Sequence, residues 1–130
     1  MQSRRMFRLG DLQLEIMKLL WRQGALRVAD VHRELGERRF AYTTIATMLR
    51  KMEERGLVRH REQGRAFCYE AVVSAEEVTR NTTADLLDRL FEGSLADAVS
   101  HLLDTREIQP EELDRLERLI QERRNRRSQP

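Results

Sequence analysis

The chain has one cysteine, one tryptophan and two prolines in 130 residues, and aromatic residues make up only 5% of it. A single thiol, Cys68, rules out an intrachain disulfide framework and most thiolate metal sites. It falls between Phe67 and Tyr69 in a strand-like piece, where it reads as a small packing or surface residue, with a redox role left open. The three histidines, His32, His60 and His101, stand far apart and make no close-spaced ligand motif, so no metal and no cofactor is expected. No apolar run is long enough to span a bilayer. The opening segment, MQSRRMFRLGD, lacks the hydrophobic centre of a signal peptide. A cytoplasmic chain without membrane insertion is expected. There is no glycine-rich phosphate loop and no nucleophile elbow. The acidic pairs Glu53-Glu54 and Glu111-Glu112 read as solvated helix faces, so no catalytic residue is assigned and an enzyme is not expected.

What the chain does have is charge, 35% of its residues, and that charge is unevenly placed. Residues 1–72 hold 15 Lys/Arg against 9 Asp/Glu, residues 73–122 hold 5 Arg against 13 Asp/Glu, and the tail from Arg123 adds 4 Arg. A basic first half beside an acidic second half predicts a division of labour at about residue 72. The first part would meet phosphates, and the second would face water and a partner subunit. The length allows one small domain with an extension, or two small lobes.

The stretch Tyr42 to Glu70 carries most of the functional signal. At about 100° per residue, Ile45, Met48, Leu49 and Met52 fall on one apolar arc. The opposite arc carries Thr43, Thr47, Arg50 and Glu54, with Thr44, Ala46 and Lys51 beside it. Arginine can make a bidentate contact to guanine, and threonine or alanine can meet a thymine methyl. The first turn, Tyr42-Thr43-Thr44, offers free backbone N–H groups and hydroxyls to a phosphate. Gly56 followed by Leu57 predicts a Schellman ending for this helix. Two strands, Leu57 to Glu62 and Ala66 to Ala71, then surround Gln63-Gly64-Arg65. Phe67 and Tyr69 are expected to alternate inward, and Arg59, Arg61 and Arg65 to surround the tip as groove contacts.

Upstream, Leu9 to Gln23 predicts a helix stopped by Gly24, apolar on two sides: Leu12, Ile16, Leu19 and Leu20 on one, Leu14, Met17 and Trp21 on the other. Ala25 to Arg27 reads as an extended link and Val28 to Leu35 as a second helix ended by Gly36. Arg38 and Arg39, in the turn that follows, are placed to touch the DNA backbone. A helix pair followed by a basic hairpin is the layout of a winged helix-turn-helix. The expected fold class is mainly α with a small β-wing: a winged helix-turn-helix domain over residues 1–72, then a C-terminal helical dimerisation domain over 73–130. The alternative reading is a winged helix that serves protein–protein contact without sequence-specific DNA reading.

From Ser74, a cap whose partner is Glu77, the pattern is helical to about Phe91. Ser94 caps a helix from Leu95 to about Asp104, with Ala98, Val99, Leu102 and Leu103 expected to point inward. Pro110 opens the last helix, where its missing N–H costs nothing. The basic tail from Arg123 is expected to fray. The stripes Leu86/Leu90, Val99/Leu102 and Leu113/Leu116/Ile120 have no second core to cover them, which predicts a symmetric dimer.

The segments LGDLQLEIMKLLW, VADVHREL, AYTTIATMLRKMEERGLV, GRAFCYEAVVSAEEV and LLDRLFEGSLADAVSHLL together resemble the penicillinase repressors of the BlaI/MecI type. The resemblance covers about Leu9 to Ile120. It implies a homodimeric transcriptional repressor that binds a dyad operator of the TACA/TGTA kind. By position it places Tyr42, Thr43, Thr44, Thr47, Arg50 and Lys51 on double-stranded DNA, with Arg65 on the wing. It also implies a membrane sensor-protease pathway that cuts founding members at an Asn-Phe bond. The matching position here is about His101-Leu102, which lacks that dipeptide. The cysteine-rich C-terminal metal motif of copper-responsive relatives is absent as well.

Overall fold

The computed structural model describes residues 9–128; residues 1–8, on which the signal-peptide reading partly rests, and residues 129–130 lie outside the described part. Six helices and three short strands follow in the order α1 (Asp11–Gln23), β1 (Leu26–Arg27), α2 (Val28–Leu35), α3 (Tyr42–Glu54), β2 (Val58–Gln63), β3 (Ala66–Ala71), α4 (Ala75–Phe91), α5 (Leu95–Thr105) and α6 (Pro110–Ser128). The strands form one antiparallel sheet in the order β1-β3-β2. Three helices, a hairpin and a short strand on its outer side make a winged helix.

The chain divides between Asp85 and Leu86, within α4, into two compact units. The first has a continuous core. α1 contributes Ile16, Met17, Leu19 and Leu20; α2 contributes Val31; α3 contributes Ile45, Leu49 and Met52; Leu57, Val58 and Tyr69 come from the wing and its approach. Both apolar sides of α1 serve this core. Met17 is fully buried, and Trp21 packs at the edge with its indole Nε1–H donating to the Val73 carbonyl at 2.9 Å. Val73 and Val78 are buried in the same core, so the start of α4 packs with the first unit.

Local chemistry explains the boundaries. α1 begins at Asp11 with Gly10 as its cap, two residues later than its apolar pattern suggests. α3 ends as a Schellman motif: Leu57 N–H donates to the Met52 carbonyl and Gly56 N–H to that of Glu53, both at 3.0 Å. That ending needs a left-handed residue, and Gly56 sits at φ 82°. Gln63 pairs with Ala66, leaving Gly64-Arg65 as a two-residue hairpin loop. Gly64 has φ 65° and Arg65 does not have positive φ, the signs of a type II′ turn.

Three expectations need correction. Leu26-Arg27 is more than a link: it pairs with Tyr69 and Cys68 as a third strand, because β3 still has a free edge there. Phe67 lies on the same sheet face as Tyr69 but is 46% exposed, since it stands beyond the end of the helical layer that covers Tyr69. The basic tail is helical to Ser128, where Ser128 Oγ donates to the Arg124 carbonyl and Gln121 Nε2 to Asn125 Oδ1.

The second unit is sparsely buried. Ser94 caps α5 by accepting from Asp97 N–H at 3.0 Å, as Ser74 caps α4 by accepting from Glu77 N–H. Ala98 is the buried residue of α5, and α6 has none. Leu102 and Leu103, expected to point inward, are exposed, because the described part of the chain covers them only in part.

Two predictions follow from this packing. Ile45 is fully buried between α3 and the core. Ile45→Ala should lower unfolding stability by about 2–5 kcal/mol, measured by urea titration of the full chain at one fixed concentration. Asp30 behaves differently. Its carboxylate accepts from Arg27 N–H at the start of α2 and also pairs with the Arg27 and Arg33 side chains. The Arg27 hydrogen bond, ahead of the other contributions, holds its pKa below the ordinary 3.8. A depressed folded pKa gives stability that is complete above the unfolded value and lost as pH falls through the folded one. Asn at position 30 keeps an acceptor for the cap and removes the charge. The stability gap between the native chain and Asp30→Asn should therefore be widest above roughly pH 5 and close as the pH is lowered past the native carboxyl's pKa. An unchanged gap across that range would contradict the assignment.

Candidate nucleic-acid interface

The inner arc of α3 is sealed: Ile45, Leu49 and Met52 are fully buried. That fixes the rotation of the helix about its own axis. Tyr42, Thr43, Thr44, Arg50, Lys51 and Glu54 are then exposed, with Ala46 and Thr47 half-buried beside them. The Arg50 guanidinium donates from Nη2 to Thr47 Oγ1 at 3.4 Å, a weak contact that aligns the two along the outer face.

The N-terminus of α3 is open. Its cap residue is Ala41, whose side chain makes no cap hydrogen bond. α4 and α5, by contrast, are each closed by a serine. Thr44 N–H already donates to the Ala41 carbonyl at 3.0 Å, so the Tyr42 and Thr43 N–H groups are the ones left to meet an anionic oxygen, with the helix dipole favouring it. The turn that delivers the chain to this point is held by His32, whose Nε2–H donates to the Phe40 carbonyl at 2.8 Å. The His32 ring also meets the Tyr42 ring edge-on, with centroids 5.8 Å apart. His32 is therefore a structural clasp under the helix start, a role its place in the sequence did not disclose.

The arginines sort into engaged and free. Arg39 makes a two-pronged pair with Glu15 of α1, both N–O distances 3.1 Å, and lies over the Phe40 ring at 4.9 Å. That pairing lowers the Glu15 pKa and raises that of Arg39. Arg59 and Arg61 both grip Glu70 across the hairpin, which holds the Glu70 carboxyl below its usual range, chiefly through Arg59. The sequence places these two arginines around the wing tip; the register sets Arg59 opposite Glu70 on the outer face, so a carboxylate neutralises them within the sheet. Arg38, Lys51 and Arg65 have no such partner among the described residues.

The wing tip comes close to the helix starts. Arg65, Ala66 and Phe67 line a shallow concavity of about 320 Å³ together with Tyr42 of α3 and Arg27, Val28 and Ala29 at the start of α2. Phe67 was not among the sequence-based candidates. Alternation could not have found it, because it places Phe67 on the same sheet face as the buried Tyr69. Beneath the interface Tyr69 is 5% exposed, and burial, then the Glu53 charge, pushes its phenol above the ordinary 10.0. Cys68 is buried, its Sγ–H donating to Gln63 Oε1 at 2.8 Å. Among the described residues no group of acidic, histidine and cysteine side chains is arranged to hold a metal ion, and no helix is long and apolar enough to cross a membrane.

The family model described as penicillinase repressor matches residues 9–122. A penicillinase repressor from Bacillus licheniformis is 26% identical over 122 residues, covering 93% of this chain and 95% of that protein. The transcriptional regulator BlaI of Mycobacterium tuberculosis is 33% identical over 118 residues, covering 88% and 84% respectively. Among solved structures, the DNA-binding domain of the repressor BlaI aligns with 54% of this chain and 87% of its own, at 28% identity and a TM-score of 0.49. With the family model spanning both units, and with a winged helix at the amino-terminal end, the chain belongs to the penicillinase repressor family, which is made of transcriptional repressors and not of enzymes.

Proposed function

We propose that this repressor acts as a homodimer on a dyad operator of the TACA/TGTA kind, blocking transcription by occupying a promoter. The observation that carries the reading is the open start of α3 beside an exposed row of Tyr42, Thr43, Thr44, Arg50 and Lys51, with Thr47 half-buried among them. Backbone N–H groups and hydroxyls at the helix start would hold phosphates, Arg50 and Thr47 would meet base edges in the major groove, and Arg65 would hold the backbone from the wing. Arg38 would add a phosphate contact. Arg39 can do so only by sharing its guanidinium with Glu15.

In the same reading, residues 1–72 hold the DNA and residues 73–130 hold the dimer together. The support is the apolar surface the second unit leaves in water: Leu86, Leu90, Leu102, Leu113 and Ile120 are exposed, Leu90 by 70% and Ile120 by 55%, with Val99 and Leu116 half-buried beside them. Among the described residues nothing buries this stripe, and a two-fold partner would supply a copy of it. The protein would work in the cytoplasm. A membrane sensor-protease pathway is the proposed source of release, acting on α5 or its surroundings so that the interface is lost.

Arg50→Ala should relax preference at one operator position, by about 1–3 kcal/mol. Arg65→Ala should weaken binding to every sequence alike and flatten its salt dependence. Fluorescence anisotropy on a TACA/TGTA-dyad duplex and on its scrambled counterpart, at several salt concentrations, separates the two effects. Preserved operator preference in Arg50→Ala would remove the outer face of α3 from base reading. It would favour a winged helix that serves protein contact alone.

The dimer has its own test. A fragment of residues 1–85 retains Val73 and Val78 and should sediment as a monomer, while the full chain sediments as a dimer. In the full chain, Leu90→Glu with Ile120→Glu should shift the equilibrium to monomer without unfolding the winged helix. A stable dimer of the fragment would move the interface to the first unit.

A further inference from the structure

The wing is joined to α3 by one residue pair that the proposed DNA contacts do not use. Glu53, in the last turn of α3, receives two N–H groups from a single residue of β2. His60 Nδ1–H donates to its carboxylate, at 2.8 Å from one oxygen and 2.9 Å from the other, and His60 backbone N–H reaches it more loosely at 3.4 Å. A carboxylate only accepts, so Nδ1 must carry the hydrogen. The backbone contact has a topological reason. β2 is an edge strand, and hydrogen-bonding and non-hydrogen-bonding pairs alternate along a hairpin. Counting from the closing pair Gln63–Ala66, His60 and Tyr69 form a non-hydrogen-bonded pair, so the His60 N–H points away from β3. On the other side of the imidazole stands the wing's aromatic tip. The His60 ring lies 4.5 Å from the Phe67 ring and 5.6 Å from that of Tyr69. A chain of contacts thus runs from α3 through Glu53 and His60 to Phe67, two residues from Arg65.

The pair stands at the surface, its side chains about one-third exposed. Exposed pairs of this kind contribute little to global stability. The geometry suits a different use. Two-residue hairpins are pliable at their tips, and Arg65 reaches a phosphate only if the tip is held at a set distance from α3. We propose that Glu53 and His60 are positioning residues for DNA binding: the clamp between them holds the wing against α3 so that Arg65 and α3 engage the same duplex together. This rests on the reading of Arg65 as a DNA contact given above.

A double-mutant cycle between Glu53 and Arg65 tests it, because the single effect of Glu53→Ala is mixed. Removing a carboxylate near DNA raises affinity for any duplex, while loosening the wing lowers it. The cycle cancels the first effect and keeps the second. Full-length protein and the Arg65→Ala, Glu53→Ala and double variants are titrated onto the TACA/TGTA-dyad duplex and its scrambled counterpart. Urea midpoints verify that all four are folded. The expected result is a loss of about fivefold or more on Arg65→Ala in the native background, shrinking to less than about twofold when Glu53 is already alanine. In a His60→Ala background the Arg65→Ala loss should shrink in the same way, and Glu53→Gln, which keeps an acceptor oxygen, should retain most of the Arg65 effect. An equal loss in both backgrounds overturns the clamp while leaving Arg65 as a contact. No loss on Arg65→Ala in the native background instead sinks the wing reading, and the clamp's role with it. Backbone ¹⁵N relaxation of residues 62–67 gives an answer without DNA: Glu53→Ala should lower the order of the tip relative to α3, and unchanged order would overturn the proposal.

Discussion

The burial of one face of α3 in the shared core of the first unit is the constraint on which the rest of the molecule depends. Ile45, Leu49 and Met52 meet a core built from Ile16, Met17, Leu19 and Leu20, all of them 3% exposed or less. Fully burying a side chain of this kind is worth about 1.5–3 kcal/mol. Rotating α3 by even a third of a turn would forfeit several of those contacts and bury threonine or arginine in their place. The presentation of Thr43, Thr47 and Arg50 is thus a consequence of core packing. An outer face held this way is rigid before any ligand arrives, which would lower the ordering cost of the proposed DNA binding.

Electrostatics refine what packing presents. Within the first unit carboxylates take up much of the arginine charge: Asp30 pairs with Arg27 and Arg33, Glu15 with Arg39, Glu70 with Arg59 and Arg61, and Glu76 with Arg80. Such pairs add little to stability at the surface, but they decide where unneutralised charge remains. Arg38, Arg50, Lys51 and Arg65 have no carboxylate partner among the described residues, and they lie before α3, along it and at the wing tip. A count of basic residues along the chain overstates the interface. The pairing pattern narrows it.

Much of this was legible in the sequence because it is written in local chemistry. The 3.6-residue spacing of Ile45, Met48, Leu49 and Met52 and the Gly56-Leu57 ending describe α3 to the residue. Ser74 and Ser94 mark the starts of α4 and α5. What was not legible depends on partners distant in sequence. Leu26-Arg27 is too short to show a strand period and becomes a strand only by lying against Tyr69 and Cys68. Glu70 cancels Arg59 and Arg61 through a register that the turn sets. Phe67 is exposed because of where the helical layer ends, which alternation cannot express. Arg123 to Ser128 reads as a tail from composition, yet arginine is a good helix former and α6 already supplies the preceding turns.

The two units stand in different thermodynamic positions. The first carries thirteen buried apolar residues in a single cluster, the last of them Val78 in α4. The second has Ala98 as its buried residue, and α6 has none. Helices of 11 and 19 residues with so little to bury gain little from tertiary contact and are marginal in isolation. Their stability would have to come from the apolar surface a second copy covers, so in the proposed dimer folding of the second unit and association are one equilibrium. DNA then enters the same linkage. Two winged helices on one dyad gain from effective concentration only while the second unit holds them together. An operator that binds both stabilises the association by the same factor that association tightens operator binding. Damage to the second unit therefore needs no contact with DNA to release it. Loss of the shared apolar surface would dissolve the proposed dimer and return each winged helix to a weaker, single-site affinity.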